Sequence, residues 1–195
     1  MKRLICYILV LTMVTAGLCA CGEEGAGDYS SGKHHAEIKV KDYGLIQVEL
    51  DADTAPITVE NFAKLVNQKF YDGLTFHRII AGFMIQGGDP EGNGMGGSEE
   101  TIKGEFSSNG VENSISHKRG VISMARSNDK DSASSQFFIM HQDAPSLDGE
   151  YAAFGKVTKG IEVVDQICEA VEVTDGNGTV EKANQPVIES IKMVD

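Results

Sequence analysis

FHRIIAGFMIQGGD, residues 76–89, sets two apolar runs on either side of Gly82. Glycine reaches positive φ without steric cost, so Gly82 reads as the turn of a hairpin whose strands are those two runs. Strand alternation then aims Met84 and Gln86 at the same face. Arg78 lies beside Phe83 and Met84 in this arrangement. A cation among aromatic and sulfur side chains is odd in a plain core, since arginine is almost never buried unpaired. Two readings stand at this point: a functional cation at an apolar pocket, or a surface arginine whose stem lies across apolar neighbours. Spacing weighs them evenly.

Outward from this hairpin, the same periodicity continues. Upstream, Ala36, Ile38 and Val40 alternate with Glu37, Lys39 and Lys41, and Ile46, Val48 and Leu50 alternate with Gln47 and Glu49. With Asp42-Tyr43-Gly44 between them, these two segments form an antiparallel hairpin. Pro56 suits a first helical turn, and Val59, Phe62, Ala63 and Val66 follow at helical spacing. Downstream, Ile161, Val164, Ile167, Cys168 and Val171 make a second helical face, and Val187 to Met193 alternates again as a last strand. Between the helices, short apolar runs are punctuated by glycine. The chain has 22 glycines against 4 prolines, which favours tight turns and β structure over a helical bundle. Two helices among many short strands imply a mainly β fold, a closed antiparallel barrel with the helices covering its open ends. Periodicity does not supply the strand count.

The N-terminus has a different character. Lys2 and Arg3 precede an apolar run from Leu4 to Val14 and a small-residue stretch, Thr15 to Ala20, the layout of an export signal. The run is short for a spanning helix, which needs roughly 20 apolar residues. Leu18-Cys19-Ala20-Cys21 resembles the lipobox of bacterial lipoproteins, in which the final cysteine accepts the lipid through its thiol. Gly22 to Lys33, rich in glycine, serine and acid, reads as a flexible tether. The organisation expected is a signal peptide over 1–20, a tether over 21–34 carrying a lipidated Cys21, and one folded domain over 35–195. The place expected for it is outside the cytoplasm, anchored to the cell membrane. Removal of Cys6 and Cys19 and acylation of Cys21 leave Cys168 as the lone thiol of the domain, so no disulfide supports the fold. Its place in an apolar helical pattern suits a buried, inert thiol.

Several other features are weak as sites. A formal charge of -12 argues against non-specific nucleic-acid binding, which needs clustered lysine and arginine. GNGMGG (92–97) satisfies a dinucleotide pattern, but no helical pattern follows it, so it reads as a glycine loop. Asp175-Gly176-Asn177-Gly178-Thr179 looks like a calcium loop, yet Val180 and Pro186 stand where its glycine and glutamate belong; a hairpin turn is the better reading. His34 and His35 lack further spaced ligands for a metal. Serine, histidine and aspartate are scattered without a nucleophile elbow, so no catalytic triad is assigned.

FHRIIAGFMIQGGD closely resembles the signature segment of cyclophilins, with FHR, GFM and QGGD in order. A second block, GVISMARSNDKDSASSQFFIMHQDAPSLDGEYAAFGKV (120–157), is similar to the family's second signature through SMA, SQFFI, LDG and FGKV. APITVENFAKLV and FYDGLTFHR match as well, so the resemblance runs from about Ala36 to Asp195. It implies a closed eight-stranded antiparallel barrel capped by two helices and peptidyl-prolyl cis–trans isomerase activity, with no cofactor and no metal. The implied partners are proline-containing unfolded or exported polypeptides. The resemblance makes Arg78, Phe83 and Gln86 the catalytic group, with Arg78 donating to the prolyl nitrogen. Phe83, Met84, Phe138 and Leu147 would hold the proline ring, while Ala125, the backbone of Arg126, Gln136 and Tyr151 would line the peptide groove. The competing class is a proline-recognising chaperone or docking module with incidental turnover. Two positions depart from the common family pattern. Ser146 stands where many members have Trp, and Tyr151 where many have His. The first implies weak binding of cyclosporin.

Overall fold

The structure, a computed structural model, describes residues 27–195; the signal segment and Cys21 lie outside them. Strands β1 (Lys33–Val40) and β2 (Gly44–Asp51) pair antiparallel with Ala36 opposite Val48 and Ile38 opposite Ile46. That register turns Ala36, Ile38, Val40, Ile46, Val48 and Leu50 onto one buried face, as their alternation requires. β1 begins at Lys33, so His34, assigned to the tether by composition, belongs to the sheet. It is held there by its ring Nδ1, 2.6 Å from Asp195, whose other carboxylate oxygen accepts the His35 N–H at 2.7 Å.

Helix α1 (Pro56–Asn67) opens on proline and buries Val59, Phe62, Ala63 and Val66. Ala55 supplies no capping side chain. The cap comes instead from buried Glu105, which accepts the N–H groups of Ile57 and Thr58 at 3.1 and 2.8 Å and the Thr58 hydroxyl at 2.7 Å. Free N–H groups and the positive end of the helix dipole together stabilise a carboxylate at this place.

The remaining elements are β3 (Thr75–Ile80), β4 (Met84–Asp89), β5 (Val121–Met124), β6 (Phe137–Met140), β7 (Ala153–Lys159), α2 (Ile161–Ala170) and β8 (Ile188–Met193). The eight strands form one antiparallel sheet in the order β3-β4-β6-β5-β7-β2-β1-β8. Its inner face carries the main core, to which α1 contributes Phe62, whose ring lies 5.2, 5.7 and 5.3 Å from Tyr71, Phe137 and Phe154, and α2 contributes Val163, Val164 and Ile167.

The barrel is open rather than closed, which corrects the sequence expectation. No ladder joins β3 to β8; they meet only at an isolated Thr75–Val187 bridge and a few neighbouring backbone bonds. Along the rest of β3 the edge is taken by residues 178–180. Ile79 N–H donates to Gly178 and Val180 N–H donates to His77. Pro186, just before β8, has no N–H to give.

Adjacent positions on β4 and β6 face opposite ways. Ile85, Phe137 and Ile139 enter the main core, whereas Met84, Phe138 and Met140 build a second apolar cluster on the other face. Phe83, Ala125, Leu147 and Tyr151 pack against that second cluster. A one-residue slip of β6 would exchange the two sets.

Candidate active site

Over the second cluster lies a cavity of about 390 Å³ lined by Arg78, Phe83, Met84, Gln86, Ala125, Arg126, Phe138, Leu147 and Tyr151. His77, Gly92 to Gly94 and Thr179 complete it. Gln136 lines an adjoining cavity of about 410 Å³ that shares Gln86, Ala125 and Arg126. Ten residues singled out in the sequence are thus brought together; Cys21 lies outside the described residues.

Arg78 is half-buried and held at two points. Its Nε donates to the Asn177 carbonyl at 2.8 Å and its Nη1 to Gln86 Oε1 at 3.1 Å. Nη2 has no hydrogen-bond partner among the described residues, and Arg78 is one of the residues that line the cavity. Gln86 is in turn oriented by a relay of amides. Its Nε2 donates to Gln136 Oε1 at 2.8 Å, and Gln136 Nε2 donates to the Gly96 carbonyl at 2.7 Å. A carbonyl only accepts and a guanidinium only donates, so the two ends dictate which way both amides point.

Asn177 was not visible as a functional position. Its carbonyl is presented by the turn over 174–179, where Asp175 accepts from Asn177 N–H at 2.9 Å and from the Thr179 N–H and hydroxyl at 3.1 and 2.9 Å. Those bonds, the Thr179 N–H foremost, hold the Asp175 carboxyl below its usual range. The segment that looked like a calcium loop is an anchor for the guanidinium.

The apolar wall has its own support. Phe138 meets Tyr151 edge-on at 5.9 Å, and the Arg126 guanidinium lies 4.8 Å over the Tyr151 ring and 5.1 Å over Phe106. The Arg126 side chain is tied into this clamp at all three nitrogens, Nε and Nη2 donating to the Glu150 carbonyl and Nη1 to that of Ser127. Its backbone N–H and C=O make no hydrogen bond among the described residues.

Behind Phe138, His117 stacks at 6.0 Å. Its Nδ1 lies 3.0 Å from Asp148 and its Nε2 3.0 Å from the Ser123 hydroxyl. Asp148 is acceptor-only, so Nδ1 carries the proton and Nε2 accepts from Ser123. Scattered in sequence, these residues assemble in the bonding order of a hydrolytic triad. Ser123 and His117 are only 0% and 1% exposed, however, so no substrate carbonyl reaches the hydroxyl. The cluster serves as backing for Phe138 and the Leu147 loop. Burial, partly opposed by Asp148, pushes the His117 pKa below its ordinary 6.5.

His77 is the lining residue that sequence reasoning passed over, although it sits inside FHR. It is 4% exposed, and neither ring nitrogen has a hydrogen-bond partner. Burial lowers its pKa, Asp89 opposes that, and Arg78 adds to it. A neutral imidazole adds no charge of its own beside Arg78. Cys168, expected to be buried, is half-buried, and desolvation pushes its thiol up to about 11, which keeps it unreactive.

Residues 35–193 match the family model described as "Cyclophilin type peptidyl-prolyl cis-trans isomerase/CLD". The chain is 50% identical over 123 residues to peptidyl-prolyl cis-trans isomerase B of Bacillus subtilis, covering 63% of this chain and 82% of that one. It is 41% identical over 160 residues to peptidyl-prolyl cis-trans isomerase A of Dickeya dadantii, covering 77% and 80%. Among solved structures, a cyclophilin type peptidyl-prolyl cis-trans isomerase of Cryptosporidium parvum superposes with a TM-score of 0.74 at 29% identity, covering 84% and 99%. The same protein in the presence of the dipeptide Ala-Pro superposes with a TM-score of 0.72 at 30% identity, covering 83% and 99%.

Proposed function

The chain belongs to the cyclophilin-type peptidyl-prolyl cis–trans isomerase family, and from that premise we propose how its site turns an Xaa-Pro bond. The obstacle to rotation is amide resonance, a barrier of roughly 18–20 kcal/mol. At the top of that barrier the prolyl nitrogen is pyramidal and has regained its lone pair. No covalent bond is made or broken, so the reaction calls for no metal, nucleotide or redox group. Catalysis consists of binding the twisted amide better than either planar one. A guanidinium N–H donated to the nitrogen lone pair does this, because the cation is permanent and its fork rigid.

In this reading Phe83, Met84, Phe138 and Leu147 hold the proline ring, and Tyr151 closes the wall. Gln86 orients Arg78 and meets the substrate backbone. The peptide runs extended past Ala125 and Gln136, pairing with the free N–H and C=O of Arg126. The observation that supports the reading is Arg78 lining the cavity with Nη2 unpartnered among the described residues while Nε and Nη1 are tied down. The test is magnetisation exchange between cis and trans forms of a short Xaa-Pro peptide. Accelerated exchange is expected from the purified domain; tight peptide binding without acceleration would make it a docking module instead.

The clients proposed are exported polypeptides, met at a membrane surface where Cys21 carries the lipid. The support is Leu18-Cys19-Ala20-Cys21 ahead of a polar segment. Firm anchoring needs more than one acyl chain, since a single chain binds membranes only marginally. Mass spectrometry of the mature N-terminus should find an acylated Cys21 that disappears in Cys21→Ala. An unmodified Cys21, or cleavage elsewhere, would overturn this part.

A further inference from the structure

The turn between β3 and β4 carries Phe83 into the site, and such a turn has two accessible forms. Phe83 N–H bonds the Ile80 carbonyl at 2.9 Å across Ala81 and Gly82. Types I and II share this closing bond and differ by a flip of the central peptide, the one whose N–H belongs to Gly82. Gly82 has φ 82°, the type II value. Glycine is free to adopt either form, and Ala81 does not choose between them, so the choice falls to whatever the Gly82 N–H meets.

It meets His141 Nδ1 at 2.8 Å. His141 directly follows β6, and its own N–H donates to the Phe83 carbonyl at 2.9 Å. With Nδ1 accepting, the ring proton sits on Nε2, which faces Asp165 Oδ1 of α2 at 3.2 Å, ion-pair range though off the line of a good hydrogen bond. Arg119 completes the assembly. It donates to Asp165 Oδ2 and to the His141 carbonyl, both at 2.7 Å, and its backbone N–H donates to Asp143. The Arg119 guanidinium holds the Asp165 carboxyl below its ordinary range, so the group facing Nε2 is an anion. This keeps the proton on Nε2 and the Nδ1 lone pair toward the turn.

We propose that His141 is a positioning residue for the isomerase reaction, fixing the central peptide of the β3–β4 turn and thereby the angle at which Phe83 lines the proline pocket. It touches neither the reacting amide nor Arg78. The inference rests on Phe83 lining that pocket, and the exchange activity of the wild type tests that premise separately.

The first measurement needs no variant. An N–H···N bond transmits a scalar coupling, so the Gly82 amide nitrogen should show one to His141 Nδ1; its absence in the folded protein overturns the proposal. The second compares three substitutions in peptide exchange, well below their melting temperatures. His141→Asn places an amide oxygen where Nδ1 was and should stay close to wild type. His141→Phe has no acceptor and His141→Gln carries its amide oxygen one bond further out than the Nδ1 position, so kcat/KM should fall by about three- to tenfold, the weight of one hydrogen bond. The loss should appear as a raised KM with kcat held, because a displaced pocket wall weakens ground state and transition state alike. A purely structural role would lower the melting temperature of all three and leave KM unchanged. That result, or an Asn variant as impaired as Phe, refutes the assignment.

Discussion

Replacing Arg78 with alanine removes the one group proposed to act only when the amide is twisted. A guanidinium has five N–H donors. Nε is bonded to Asn177 and one Nη1 hydrogen to Gln86; five less two leaves three hydrogens for the substrate, both on Nη2 among them. Loss of a preorganised donor of this kind costs about 2.7–4 kcal/mol, or about 10²–10³ in kcat. The fold should tolerate the change, since the side chain is half-buried and its two bonds lie at the surface of the cavity. Their loss costs about 0.5–1.5 kcal/mol each at most. Arg78→Lys should recover little, because an ammonium that reaches the Gln86 oxygen has no second arm to present. Line-shape or magnetisation-exchange NMR on an Xaa-Pro peptide gives kcat and KM separately, and circular dichroism reports the fold. The signature expected is a fall in kcat with peptide affinity nearly kept. An alanine variant that exchanges at close to the wild-type rate, or one that fails only through KM, would refute the role given to Arg78.

Gln136→Leu leaves the Gly96 carbonyl and Gln86 Nε2 without partners; kcat/KM should drop by about tenfold, the effect of roughly 1–1.5 kcal/mol at a partly exposed site, and unchanged activity would dismiss the amide relay. Stability should also depend on pH through His77 and His117, both with pKa values lowered from 6.5 by burial. The unfolded chain therefore takes up these protons first, so their contribution is complete above that value and is lost as pH falls below it toward the folded-state pKa. Urea midpoints that stay flat between about pH 7.5 and about pH 5 would contradict the sign. Ser146 is exposed and directly precedes Leu147, which lines the pocket, and Ser146→Trp should tighten cyclosporin binding by roughly 30-fold or more, as an aromatic anchor worth ~2–4 kcal/mol would. Calorimetry showing tight wild-type binding, or no gain in the variant, would remove that position from control of the drug.

Much of the architecture was legible because it is periodic. Alternation at Ala36, Ile38 and Val40 named the buried face of β1, and the spacing of Val59, Phe62, Ala63 and Val66 named that of α1. Both readings need only that neighbouring residues share a local backbone geometry. The lining of the site was legible by a different route, through the resemblance of residues 76–89 and 120–157 to family signatures, whereas spacing by itself left Arg78 undecided. Glu105, by contrast, caps α1 from a position 47 residues further along the chain, where no local pattern marks it. Barrel closure was misjudged for the same reason. Whether β8 reaches β3 depends on residues 178–180 occupying that edge first, a competition between distant segments.

The sequence by itself thus determined the alternating strands and the two amphipathic helices, and its motifs named ten residues that line the two adjoining cavities, because periodicity and motif are properties of adjacent positions. Only the tertiary structure decided that Asn177 and Gln86 tie down two nitrogens of a cavity-lining Arg78 and leave Nη2 without a partner among the described residues. It alone brought Ser123, His117 and Asp148 together as a sealed support and set His141 against the Gly82 peptide. Each of these is a directional bond between loops far apart in the chain. Its strength depends on distances of about 3 Å, which are fixed only once the whole sheet has rolled up.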